Sequence, residues 1–174
     1  MWKEIIIVGR GGHGVKTMGD ILSTAALHDG RRVSHWPTYG AAARGGPSIS
    51  QIIISSRRID YPRCTAADVL VAMDEELLGR YVGYLKPRGM LIADSSLVKR
   101  LPRDDIINVK WVPAARIAQD MGSRILINMV MLGALFKTTK LISEDAVVEA
   151  IKSIIPSSAQ GINLEAFRRG AQIS

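Results

Sequence analysis

Short apolar runs alternate with longer stretches of helical periodicity along this chain, and that alternation sets its class. Ile5-Ile6-Ile7-Val8 is apolar on both faces, as a strand covered by helices on each side requires, and the strand is expected over Glu4 to Gly9. Val15, Met18, Leu22, Ala25 and Ala26 then recur at helical spacing. They predict a helix from Val15 to about His28, with Gly30 just past its end. Further strands are expected at Arg32 to Trp36, stopped by Pro37, and at Ser48 to Ser55, Asp68 to Met73, Met90 to Asp94 and Val109 to Val112. Asp74 to Tyr84 reads as a helix, and Lys86-Pro87-Arg88-Gly89 as a turn. The last third is helical. It holds Ala114 to Met121, Ile125 to Lys137, Glu144 to Ile154 capped by Ser143, and a closing helix capped by Asn163 that runs to Arg169. Strands alternating with helices predict an α/β fold, Rossmann-like and doubly wound, with a mostly parallel sheet flanked by helices. No repeat, low-complexity tract or linker breaks the pattern, so residues 1–174 are expected to form one domain.

Composition narrows the partners more than the class. With 47% hydrophobic and 22% charged residues, the chain has the balance of a globular domain and neither a disordered nor a fibrous one. Lys and Arg outnumber Asp and Glu by 23 to 16, a net charge of +7. The excess is scattered in isolated pairs such as Arg31-Arg32, Arg57-Arg58, Lys99-Arg100 and Arg168-Arg169. Scattered charge without a zinc-finger or ribonucleoprotein motif favours a basic face for an acidic partner or a phosphorylated cofactor over nucleic acid. The longest apolar segment, Ile125 to Phe136, is interrupted by Asn128 and falls short of the roughly 20 residues a bilayer span needs. No secretory pattern precedes the first strand, so a cytoplasmic chain with no membrane partner is expected.

Cys64 is the only cysteine. It excludes an intramolecular disulfide, cannot supply the four thiolates of an iron–sulfur cluster, and has no base beside it in sequence. It is expected to be inert. His13, His28 and His35 show no metal-ligand spacing, and no metal site is expected.

Three features could carry chemistry. Gly9, Gly11 and Gly14 keep the G-x-G-x-x-G spacing between the first strand and helix, with Gly12 and His13 inside the turn. Such a turn brings backbone N–H groups close to a phosphate at the helix N-terminus, where His13 and Lys16 can add hydrogen bonds or charge. It equally serves as a strand-to-helix corner that binds nothing. The second strand ends Ser34-His35-Trp36-Pro37 without a carboxylate for a ribose hydroxyl, and Asp20 and Asp29 come too early. The Walker pattern also fails. The second feature is the small-residue loop from Tyr39 to Gly46, where Arg44 can grip a phosphate or carboxylate and Gly45-Gly46 admit a closely approaching surface. An ordinary turn with a solvated arginine is the alternative. Asn128, inside an apolar helix, must find hydrogen bonds, either by holding a nearby loop or by touching a ligand. Asp68, Asp74 and Asp94 lie at or near strand ends, where open-sheet ligands bind, but no nucleophile-and-base pair stands with them.

The ordered set of motifs resembles the gamma subunit of the 2-oxoacid:ferredoxin oxidoreductases, which act on pyruvate, 2-oxoglutarate and related acids. The resemblance rests on Gly9-Arg10-Gly11-Gly12-His13-Gly14, Pro37-Thr38-Tyr39-Gly40 leading to Arg44-Gly45-Gly46, and Asp68-Val69-Leu70-Val71-Ala72. It continues through Val112-Pro113-Ala114, Ile117-Ala118, Asn128-Met129, Leu132-Gly133-Ala134 and Asn163 with Ala166 and Gly170, nearly the whole chain. Ala43 departs from the family pattern, in which a larger or acidic residue precedes the arginine. The resemblance implies a complex that decarboxylates a 2-oxoacid oxidatively to an acyl-coenzyme A. Thiamine diphosphate with Mg and iron–sulfur clusters would do the chemistry, and ferredoxin would take the electrons. It also implies alpha, beta and ferredoxin-like partner subunits that hold those groups, since one cysteine cannot. This chain is left with assembly and with help in binding coenzyme A through Gly9, Gly11, Gly12, His13, Gly14, Tyr39, Arg44, Gly45, Gly46 and Asn128. The rival expectations are a purely structural subunit that meets no ligand and a stand-alone dinucleotide-binding reductase.

Overall fold

In a computed structural model, residues 1–40, 45–106 and 108–173 are described, Tyr39 by its backbone alone. Six strands among the described residues form one sheet in the order β2-β3-β1-β4-β5-β6. They are β1 (Trp2–Arg10), β2 (Arg32–Tyr39), β3 (Pro47–Ser55), β4 (Ala67–Ala72), β5 (Leu85–Asp94) and β6 (Val109–Val112). β1, β4, β5 and β6 run parallel. β3 is antiparallel to both β1 and β2, so a hairpin completes one side of the sheet.

The helices are α1 (Val15–His28), α2 (Glu75–Tyr81), α3 (Ala114–Asp120), α4 (Ile127–Thr139), α5 (Glu144–Ile154) and α6 (Ser157–Ala171). Period-2 alternation along β1 divides the core. Ile5 and Ile7 point into a layer built with α1, α3, α4, α5 and α6, while Ile6 and Val8 face a thinner layer with α2 and Val98. Helices on both faces make the fold α/β and doubly wound, as the alternating pattern predicted. Nine consecutive residues of α4, Ile127 to Leu135, are buried, which explains why that segment is apolar all round.

Four local readings change. β2 continues through Pro37 to Tyr39, because an edge strand tolerates a residue without an N–H. Lys86 to Gly89 belong to β5, where the pairing with β4 jumps from Ala67–Leu85 to Val69–Met90 and absorbs the expected turn as a bulge. Asp68, opposite that bulge, lies at the amino end of the parallel strands, away from the end where ligands bind. Asn163 is no cap: α6 begins at Ser157, and the Asn163 amide donates back to the Ala159 carbonyl at 2.8 Å. The early start is tied down by Gln160, whose amide donates to the Lys152 and Ile155 carbonyls at the end of α5. Gly170 sits inside α6, where a Cβ would lie 1.9 Å from the Val130 carbonyl oxygen of α4.

Candidate functional site

The carboxyl ends of β1, β4, β5 and β6 meet the glycine turn. Arg10 closes β1, its Nε donates to Asp74 Oδ2 at 2.8 Å, and it also reaches Glu76. Asp74 in turn caps α2 by accepting from the Leu77 N–H at 2.9 Å. Burial alone would raise the Asp74 carboxyl, but Arg10 and the Leu77 N–H outweigh it and hold the group below its ordinary range. The turn itself is stitched to the second loop. Gly11 N–H donates to the Gly46 carbonyl at 2.8 Å, and a Cβ on Gly11 would stand 3.0 Å from Gly45 N. Two glycine motifs 34 residues apart in sequence thus touch.

His13 is half-buried and accepts from the Arg10 N–H through Nδ1 at 3.2 Å, which leaves Nε2 to carry the proton of the neutral ring. Burial lowers its pKa, opposed by the nearby Asp74 and Asp94 carboxylates. Gly14 has φ 68 and precedes α1. A Cβ there would fall 2.3 Å from Asn128 Nδ2, so only glycine lets α4 approach the turn so closely. Asn128 is 3% exposed, donates to the Gly14 carbonyl at 3.3 Å, and leaves its Oδ1 buried without a partner among the described residues. Among the described residues no side chain caps α1, and no acidic residue stands in its first turn. That end therefore presents a positive dipole.

Beside the turn lies a cleft of about 270 Å³, lined by Gly11, Gly12, His13, Leu97, Ala115, Arg124 and Ile127. Arg124 is exposed and lies just ahead of α4. Asp94 is fully buried behind the cleft, accepting from the N–H groups of Ser96 at 2.7 Å and Ala115 at 2.8 Å. Burial raises its pKa against those hydrogen bonds. Both oxygens are spent tying the end of β5 to the start of α3, so the carboxylate organises the cleft wall. A larger cavity of about 330 Å³ lies at the opposite end of the sheet, lined by Asp68, Lys3 and Lys86 and by none of the residues expected to bind coenzyme A.

A chain with this sheet order and this glycine cleft can be placed among known proteins. The family described as pyruvate ferredoxin/flavodoxin oxidoreductase matches residues 4–173. The chain belongs to that family. It is 40% identical over 98% of its length to the 2-oxoglutarate synthase subunit KorC of Methanothermobacter thermautotrophicus, covering 94% of that protein. It is 32% identical over 95% of its length to the pyruvate synthase subunit PorC of the same organism, covering 92% of it. Among solved structures, the keto/oxoacid ferredoxin oxidoreductase gamma subunit of Geobacter sulfurreducens matches with TM-score 0.83 and 33% identity, over 97% of this chain and 95% of that one. The 2-oxoglutarate:ferredoxin oxidoreductase of Magnetococcus marinus, solved with 2-oxoglutarate, coenzyme A and succinyl-CoA bound, matches with TM-score 0.87 and 27% identity. There the chain covers 31% of a longer polypeptide and 99% of itself. Within the family, this chain is a gamma-type subunit of a 2-oxoacid:ferredoxin oxidoreductase.

The oxidoreductase fold gathers Gly11, Gly12 and His13 on one cleft wall, with Gly45 and Gly46 against Gly11 and with Asn128 against Gly14. Tyr39 ends β2, and Arg44 lies outside the described residues. Arg124, Leu97, Ala115 and Ile127 escaped the sequence reading. A lone arginine at the mouth of an apolar helix, after Gly122-Ser123, is the signal that could have flagged Arg124. Cys64 is buried, and burial beside Glu4 pushes its thiol up to about 12, which suits neither nucleophile nor cluster ligand. Among the described residues no group of three His, Cys, Asp or Glu side chains is placed to hold a metal ion. Nor is any helix among the described residues long and apolar enough to cross a membrane.

Proposed function

We propose that this chain, folded as one domain, serves a 2-oxoacid:ferredoxin oxidoreductase complex by binding the phosphates of coenzyme A at the glycine cleft. Partner subunits of alpha, beta and ferredoxin-like type would supply thiamine diphosphate, Mg and iron–sulfur clusters, and ferredoxin would accept the electrons. The observation that carries the reading is the cleft itself. Gly11, Gly12, His13 and Arg124 converge there beside a helix N-terminus that no described side chain caps, a setting that favours a polyphosphorylated ligand. The Magnetococcus marinus relative was solved with coenzyme A bound, which supports the ligand class.

In the assembled complex, Arg124→Ala and Arg44→Ala should each raise the KM for coenzyme A while subunit assembly stays intact. An unchanged KM in both variants refutes the assignment. The similarity to KorC makes 2-oxoglutarate the first acid to assay, with pyruvate beside it and a viologen as electron acceptor. A second reading, a subunit that only packs against its partners, draws on one bond. The Gly11 N–H is already taken by Gly46 and is not offered to a ligand. Calorimetric titration with coenzyme A separates the two.

The dinucleotide-reductase alternative has a structural obstacle. β3 inserts between β1 and β2, so the end of β2 does not stand beside the glycine turn where a ribose-holding carboxylate belongs.

A further inference from the structure

Asp20, His35 and Ser50 stand in line behind the glycine turn. Asp20 Oδ1 lies 3.4 Å from His35 Nδ1, and His35 Nε2 lies 3.1 Å from Ser50 Oγ. The order is that of a hydrolytic triad, but Ser50 is fully buried and its hydroxyl points at the Val15 carbonyl, 3.3 Å away. No substrate reaches it. The three residues come from α1, β2 and β3, and Gly19 makes room for them, since a Cβ there would meet His35 Nε2 at 2.5 Å and Ser50 Oγ at 2.8 Å.

The protons in this line can be counted. A carboxylate can only accept, so the proximity of Asp20 Oδ1 at 3.4 Å favours a proton on Nδ1 in both states of the ring. With His35 neutral, Nε2 is an acceptor and draws the Ser50 hydroxyl proton to itself. With His35 charged, Nε2 donates to Ser50 Oγ, and the hydroxyl proton is released to the Val15 carbonyl. Val15 is the first residue of α1, directly after Gly14.

We infer that His35 is a positioning residue whose protonation locks the first turn of α1, and with it the glycine turn, through Ser50. Its effect on ligand affinity rests on the coenzyme A reading above; the proton arrangement does not. The charged groups acting on His35 among the described residues are Asp20 and Lys16, both on α1 and paired at 2.6 Å, while β3 contributes the Ser50 hydroxyl. Burial places the His35 pKa below the ordinary 6.5, against the pull of Asp20. The lock therefore closes on acidification.

Nitrogen-15 NMR of the labelled full chain, with the ring assigned through His35→Gln, reads the tautomer directly. Neutral His35 should be the Nδ1–H form, and Asp20→Asn, whose amide can donate, should allow the Nε2–H form. A neutral Nε2–H ring in the unsubstituted chain overturns the inference. Calorimetry with coenzyme A then compares the chain with Ser50→Ala across pH, so that titration of the ligand and of His13 cancels in the ratio. The affinity ratio should be near unity with His35 neutral and rise about fivefold once it is charged, the worth of one hydrogen bond. A flat ratio overturns it. If coenzyme A binds neither protein, the ligand reading falls, and the pH dependence of the Tm difference between the two proteins decides: widening below the His35 pKa supports the lock, and a constant difference removes it.

Discussion

The contact between Gly14 and Asn128 is the joint on which the cleft is built, and a double-mutant cycle measures it. Gly14→Ala must hold a side chain at φ 68, which costs about 1–2 kcal/mol for a residue with a Cβ. It must also displace Asn128, whose Nδ2 and Cγ would lie 2.3 and 2.6 Å from the new Cβ, an overpacking cost of about 1–3 kcal/mol. Asn128→Ala behaves differently. It removes one long hydrogen bond of 3.3 Å but also a buried Oδ1 that has no partner among the described residues. The lost bond is worth about 1 kcal/mol and the orphaned acceptor costs a similar amount, so the single substitution should be close to neutral. Combining the two leaves only the backbone penalty, so the double variant should be more stable than Gly14→Ala alone by about 1–3 kcal/mol. Urea unfolding with a shared m-value gives the coupling, and at this chain length each kcal/mol corresponds to about 2–4 °C in Tm. Effects that add to within about 0.5 kcal/mol would refute the contact as the reason glycine is needed there.

The close approach of α4 and α6 gives a second test. Gly170→Ala places a Cβ 1.9 Å from the Val130 carbonyl oxygen, where backbone on both sides must separate. With backbone on both sides the overpacking cost is taken at its upper end, about 3 kcal/mol, and after the helical gain of about 1 kcal/mol for alanine over glycine a net loss of about 2 kcal/mol is expected; an unchanged Tm would contradict it. For Asp74 the sign follows from its lowered pKa. The carboxylate contributes stability that is present above the unfolded value of 3.8 and is lost as pH falls through the lower folded value. Asp74→Asn should therefore lower Tm at neutral pH, and its deficit should shrink as the solution is taken below 3.8; a deficit independent of pH would show that Arg10 and the capped N–H do not depend on the charge.

The alternation of apolar runs with helical periods was enough to identify the α/β class, the buried first strand and the α1 register, because burial on one or two faces imposes its own period. The glycines of the first turn were legible for a related reason: glycine adopts without a Cβ penalty the positive φ found at Gly12 and Gly14. What sequence spacing could not express is proximity between distant segments. Arg124 shares a cleft with His13, Gly46 receives the Gly11 N–H, and Asn128 leans on Gly14, all across long separations. Nor could it express that β3 enters the sheet beside β1 in the opposite direction, or that Pro37 is tolerated because β2 is an edge. Local pattern fixes which residues must hide from water; the order in which strands pair decides which of the remaining ones meet.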